Sequence, residues 1–251
     1  PPPMAGHSKF ANIQHRKGAQ DKKRAQAFTK IAREIQAAVK LGGADPNANP
    51  RLFRAMAAGR AINMPKDNIQ RAVDKGSGAG AEQLDEIRYE GFGPGGIGVI
   101  VECLTDNKNR TAGEVRAAFA KNGGNLGESN SVSNSWRKVG EVRYPLAAAS
   151  EDAMLEAAIE AGGDDCTVED DHHVVTCEMN ALAAVSQGLA KKFGDPSSAK
   201  FVWRTDIAIP VEGEGAETLM KLLDQLDDLD DVQDVYSNED ISDEELARLA
   251  Q

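Results

Sequence analysis

At Gly76-Ser77-Gly78-Ala79-Gly80 the hydrophobic period of the chain changes, and that break limits the folds open to it. Before it, apolar residues recur every three to four positions. Between Gln20 and Leu41, Phe28, Ile31, Ala32, Ile35, Ala38 and Val39 form one stripe. At the helical 100° per residue, Lys22, Lys23, Lys30, Arg33 and Lys40 fall on the opposite side. Gly42-Gly43 stops this helix. Asn49-Pro50 reads as an N-cap followed by proline at the first helical position, opening a helix that carries Leu52, Phe53, Met56 and Ile62. Met64-Pro65-Lys66-Asp67 starts a third helix with Ile69, Ala72 and Val73 inward, ending at Gly76. Residues 4–80 are thus expected to form an all-helical domain, and Gly76–Gly80 a flexible linker.

Past the break the pattern is mixed. Glu86–Glu90 and Ile97–Leu104 read as strands around a glycine-rich turn at Gly91–Gly96, Arg110–Asn122 as a helix stopped by Gly123-Gly124, and Val132–Lys138 as an alternating strand. A complete run follows: strand 141–145, helix 151–161, strands 165–169 and 173–178, helix 180–191, strand 199–204. That order, β-α-β-β-α-β, is the ferredoxin-like split βαβ. Ile207–Val211 is a further strand, then comes a helix with Leu219, Leu222, Leu223, Leu226 and Leu229 on one face, then strand Val232–Tyr236. Ser242-Asp243-Glu244-Glu245 is a capping box opening a last short helix. The βαβ half on each side of the complete module cannot close a core alone, whereas together they make a second set of six. The expected architecture is therefore multi-domain: an all-α N-terminal domain and two α+β ferredoxin-like modules. One module, 140–204, is inserted in the other, 81–139 plus 205–251. Two consecutive domains cut near Tyr144 would be the alternative, leaving the last strand–helix–strand without a sheet to join.

Charge divides the chain along similar lines. Residues 1–80 carry 15 Lys+Arg against 5 Asp+Glu, residues 81–140 carry 7 against 8, and residues 141–251 carry 7 against 27. The net charges of +10, −1 and −20 sum to the −11 of the whole. A basic block of this size is the footprint of a phosphate-backbone binder, although the chain as a whole is acidic. A hydrophobic content of 41% with 27% charged residues suits a globular protein rather than a disordered one. Three cysteines, Cys103, Cys166 and Cys177, make no disulfide framework, which fits a reducing cytoplasm. No apolar run approaches membrane-spanning length. The three prolines before Met4 are read as an expression remnant, with Met4 as the expected initiator.

Enzymatic motifs are weak. Gly91-x-Gly93-x-x-Gly96 satisfies a dinucleotide pattern, but a strand follows it, so no helix N-terminus is there to hold a pyrophosphate. Cys166, His172, His173 and Cys177 lie close in sequence, yet their spacing matches no standard zinc site and a hairpin turning near Asp170-Asp171 does not set the cysteines opposite one another. Glu102 and Asp106 bracket a strand end without pairing as acid and base. The acidic run Asp224–Asp234 reads as the solvated face of the leucine-rich helix.

Donors gather at the start of the chain: Gly6-His7-Ser8-Lys9, then Asn12-Ile13-Gln14-His15-Arg16-Lys17. These segments, with Leu41-Gly42-Gly43, Asn63-Met64-Pro65-Lys66-Asp67-Asn68-Ile69, Tyr89-Glu90-Gly91-Phe92-Gly93-Pro94-Gly95-Gly96, Glu102-Cys103-Leu104-Thr105-Asp106-Asn107, Arg110-Thr111 and Gly123-Gly124-Asn125-Leu126-Gly127, resemble the YebC/PmpR family. That family includes the mitochondrial translational activators of cytochrome oxidase. The resemblance covers nearly the whole chain and implies three domains and a non-enzymatic role in gene expression; no cofactor, metal or small-molecule substrate is expected. Phe10 stands where the family usually has Trp, and Asn134 and Ser135 where it has large apolar residues. The resemblance implies a DNA-binding transcriptional regulator, or alternatively a ribosome-associated translation factor that binds ribosomal RNA and relieves stalling. An acidic protein–protein adaptor is a third reading. The expected nucleic-acid contacts are His7, Lys9, Asn12, His15, Arg16, Lys17, Lys22, Lys23, Arg24, Lys30, Arg33 and Lys66.

Overall fold

The computed structural model describes residues 20–251, with side chains from Lys22 onward. In chain order the elements are α1 (Gln20–Gly42), α2 (Pro50–Ala61), α3 (Lys66–Ser77), β1 (Asp85–Phe92), β2 (Gly98–Thr105), α4 (Lys108–Lys121) and β3 (Asn125–Leu126). Then come β4 (Arg137–Pro145), α5 (Glu151–Ala161), β5 (Asp165–Glu169), β6 (His172–Cys177), α6 (Leu182–Phe193) and β7 (Ser198–Arg204). The chain ends with β8 (Ile209–Pro210), α7 (Gly213–Asp227), β9 (Val232–Ser237), β10 (Glu239–Asp240) and α8 (Asp243–Leu249). The fold is α+β and multi-domain. By contacts it gathers into two compact units, one of residues 83–137 and 203–251 with the described residues up to Gln26, the other of residues 27–82 and 138–202.

In the second unit, the helical stripe closes on a core of Ile35, Ala38, Val39, Leu52, Met64, Ile69 and Val73. Asn49 fixes the corner between α1 and α2. Its Oδ1 accepts from Leu52 N at 3.1 Å, while its Nδ2 donates to the carbonyls of Ala38 at 2.8 Å and Gly43 at 2.9 Å. Two expectations fail here. Phe53 is not inward but 38% exposed. Gly76 opens no linker: α3 runs through it to Ser77, and a Cβ at Gly76 would stand 2.8 Å from the Gln36 carbonyl oxygen of α1. It is a close-approach residue between two helices.

The same unit holds a four-stranded sheet in the order β5-β6-β4-β7. Pairing of β4 with β6 and of β5 with β6 is antiparallel. Packed against it are α5 and α6, with Val142, Tyr144, Met154, Ala158, Val175, Leu182, Val185 and Leu189 between. The β5–β6 turn uses Asp170 and Asp171 at φ 51° and 59°, the paired left-handed residues of a tight hairpin.

In the first unit the sheet order is β3-β1-β2-β9. β1 and β2 form an eight-pair antiparallel hairpin from Asp85↔Thr105 to Phe92↔Gly98. The glycine-rich turn holds Gly95 at φ 76° and Gly96 at φ 79° and continues into a strand. Its core joins Val99, Val101, Val115, Phe119, Leu219, Leu222, Leu226 and Val232. Two expected strands largely dissolve. Ile207–Val211 contributes only the two residues of β8, paired parallel to β10 in a separate small sheet. Residues 132–136 form a turn, 3-10 at Ser133–Ser135, and only Arg137 and Lys138 of the expected strand are extended, as the start of β4; Val132 and Trp136 are buried and Asn134 and Ser135 exposed. The polar pair that departs from the family pattern thus sits on a solvated turn, not in a sheet.

Candidate nucleic-acid interface

A helix binds a phosphate backbone through cations on the face it does not need for packing. On α1, Lys22, Arg24 and Lys40 are exposed, while Lys23, Lys30 and Arg33 are half-buried. Lys66 is the exposed first residue of α3. His7, Lys9, Asn12, His15, Arg16 and Lys17 lie outside the described residues. Lys22, Lys23 and Arg24 fall in the first contact unit, and Lys30, Arg33 and Lys66 in the second.

The first turns of α1 meet an acidic neighbour. Gln26 Nε2 donates to the carbonyls of Asp228 at 3.0 Å and Asp227 at 3.3 Å, at the C-terminal end of α7. Burial pushes the Asp224 carboxyl above its ordinary range; the Lys23 ammonium pulls it back, and Asp228 and Asp227 add to the rise.

Several family segments turn out to be structural. Glu90, 3% exposed, accepts from the backbone N–H groups of Ser133 at 2.6 Å, Asn130 at 2.9 Å and Val132 at 3.0 Å. Arg88 Nε adds a fourth donor at 3.1 Å. Burial alone would raise this carboxyl, but the three backbone donors outweigh it and hold it down at about 2. Glu90 therefore dictates the turn that replaces most of the expected 132–138 strand. Arg110 and Thr111 converge on Asp231, which is 1% exposed: Arg110 is bidentate at 2.8 and 3.1 Å, and Thr111 Oγ1 donates at 2.8 Å. Arg110 also reaches Asp106 at 2.7 Å. Asp231 thus corrects the reading of Asp224–Asp234 as one solvated face, since the run has left the helix by that point and turned inward.

Glu102 accepts from Trp203 Nε1 at 2.8 Å, and Arg88 lies 5.0 Å over the Trp203 ring. Cys166 is paired with Val175 and Cys177 with Gly140, while His173, 1% exposed, points Nε2 at the carbonyls of Ala149 and Leu146 at 2.8 and 3.3 Å. Burial pushes both thiols up to about 11. Among the described residues no three His, Cys, Asp or Glu side chains stand together as metal ligands, and no helix is long and apolar enough to cross a membrane.

Sequence reasoning missed the aromatic–arginine pairs, Arg88 on Trp203 and Arg54 5.3 Å over Phe201. Their partners are more than a hundred residues apart, so no local pattern announces them.

Residues 8–79 match the TACO1/YebC protein N-terminal domain, and residues 84–239 match the TACO1/YebC second and third domain. The chain belongs to the TACO1/YebC family. It is 57% identical over 252 residues to a probable transcriptional regulatory protein of Maricaulis maris (strain MCS10), covering 98% of this chain and all of that one. It is 52% identical over 250 residues to a probable transcriptional regulatory protein of Hyphomonas neptunium (strain ATCC 15444), covering 98% of this chain and 99% of the other. Its fold is similar to the crystal structure of a conserved hypothetical protein from Aquifex aeolicus, with a TM-score of 0.83 and 39% identity over 89% of this chain and 93% of that one.

Proposed function

We propose that this protein is a non-enzymatic, cytoplasmic regulator of gene expression that binds nucleic acid through its basic N-terminal block, acting as a DNA-binding transcriptional regulator. The observation that carries the reading is charge segregation: +10 in residues 1–80 against −20 in residues 141–251, with the α1 lysines set opposite the buried stripe. The names of the two bacterial relatives, both probable transcriptional regulatory proteins, support it. A second reading, a translation factor on ribosomal RNA, is favoured by the acidic body, which bare duplex repels but basic ribosomal proteins accept.

The finer architecture goes with this reading as a proposal: a basic helical head at 4–80, and a ferredoxin-like module at 140–204 inserted in a split one. The strand order β5-β6-β4-β7 supports the inserted module, because it sets the first and third strands of the run side by side in the centre. The joining of β9 to β2 supports the split one.

The test is to sediment cell extract through a sucrose gradient and crosslink the protein to the nucleic acid it touches. Crosslinks to DNA from residues 4–66 are expected. Crosslinks to ribosomal RNA in ribosome fractions would move the assignment to translation, and none to either polymer would end it.

A further inference from the structure

Helix α7 ends with the wrong charge. A helix C-terminus carries about half a negative charge from its aligned peptides and is stabilised by cations. This one instead gathers Asp224, Asp227, Asp228 and Asp230, with no basic residue in its last turn. What meets that end is α1: Gln26 donates to the Asp227 and Asp228 carbonyls, and Lys23 lies within electrostatic reach of Asp224. A cluster of carboxylates offers a lysine much what a phosphate backbone offers, so both compete for the same groups.

We propose that the acidic end of α7 is an autoinhibitory contact, an internal phosphate mimic that holds the basic first turns of α1 and that nucleic acid must displace. This rests on the nucleic-acid reading and deepens it, since the contact supplies a regulation that charge composition alone does not: a specific docking point rather than diffuse repulsion. Weak, non-specific ligands are screened out, and a partner that carries enough phosphates, or that itself binds the freed acidic end, opens the contact.

The experiment compares full-length protein with D227N/D228N/D230N, titrated on a random duplex of about two helical turns at low salt. Asp228 and Asp230 are exposed and Asp227 half-buried, so the amides relieve repulsion without emptying a core. The control is E214Q/D243N/E244Q, which removes the same number of charges at the other end of α7. The two ends are about 22 Å apart along the helix axis, and Glu245, accepting from Gly213 N at 2.8 Å, ties α8 to the far one. The contact variant is expected to bind about three- to tenfold tighter at low salt, with the gain fading as salt screens it. The control is expected to gain less.

Equal gains in both variants would reduce the effect to diffuse repulsion and overturn the contact. If the wild type binds and the contact variant gains nothing, the inference fails while the nucleic-acid reading stands; if none of the three binds, that reading fails with it. A second measurement needs no nucleic acid. Amide exchange over Arg24–Phe28 should quicken in Gln26→Ala, which removes the donor to the Asp227 and Asp228 carbonyls, while Ile35–Val39 keeps its protection, and unchanged exchange at Arg24–Phe28 would also overturn the proposal.

Discussion

Glu90 and Asn49 show how much a single buried polar side chain decides. Glu90 satisfies three backbone N–H groups and Arg88 at once, so Glu90→Gln should cost about 2–4 kcal/mol, because the amide turns a donor toward donors. The pH dependence has a definite sign. The folded carboxyl is held at about 2, below its unfolded value, so its stabilisation is full above about pH 4.5 and is lost as pH falls through about 2. Denaturant midpoints between neutral and acid pH should fall in wild type and flatten in the Gln variant. Asn49 caps α2 and also donates to two carbonyls. Asn49→Ala should cost about 1–3 kcal/mol. Asn49→Asp, close to neutral at an ordinary N-cap, should cost nearly as much here, since its carboxylate would face the oxygens of Ala38 and Gly43. A neutral Asp variant would show that capping alone matters.

Elements whose amphipathic period fixes one face were legible from sequence: α1 to α3, α5 and β5 appear where their patterns put them. Where the outcome depended on distant partners, it was not. Val132 and Trp136 alternate with polar residues as in a strand, but a carboxylate forty residues upstream captures the backbone as a turn. Gly76 looked like linker because glycine is permissive, while its lack of a Cβ serves packing against Gln36. That distinction is testable. Gly76→Ala should cost about 1–3 kcal/mol through overpacking, whereas Gly80→Ala, with nothing within 4 Å of a Cβ, should be near neutral in thermal unfolding. Equal tolerance at both sites would restore the linker reading. Of the candidate interface, the basic face of α1 was readable because charge needs no partner to be seen. The acidic end of α7 against Gln26 was not, being a contact across two hundred residues.

At the scale of the molecule, the first unit draws its sheet from both sides of the interruption: β1, β2 and β3 precede it and β9 follows. Thr205 Oγ1 donates to the Ser135 carbonyl at 3.2 Å, and Arg137 pairs with Asp206 at 3.0 Å, so the two crossing points lie together. Replacing residues 139–202 with a short glycine-serine linker should leave residues 83–137 and 203–251 able to unfold cooperatively; a molten product would contradict an inserted module.

Nucleic-acid binding by this protein requires that the basic block hold phosphates. The direct measurement is the affinity of the full-length protein for duplex across a series of salt concentrations, beside K9A/R16A/K17A. About five to eight phosphate contacts predict a slope of log affinity on log salt of roughly −4 to −7, and the triple variant should be shallower by about three. An affinity that does not change with salt, or a triple variant with the wild-type slope, would contradict it.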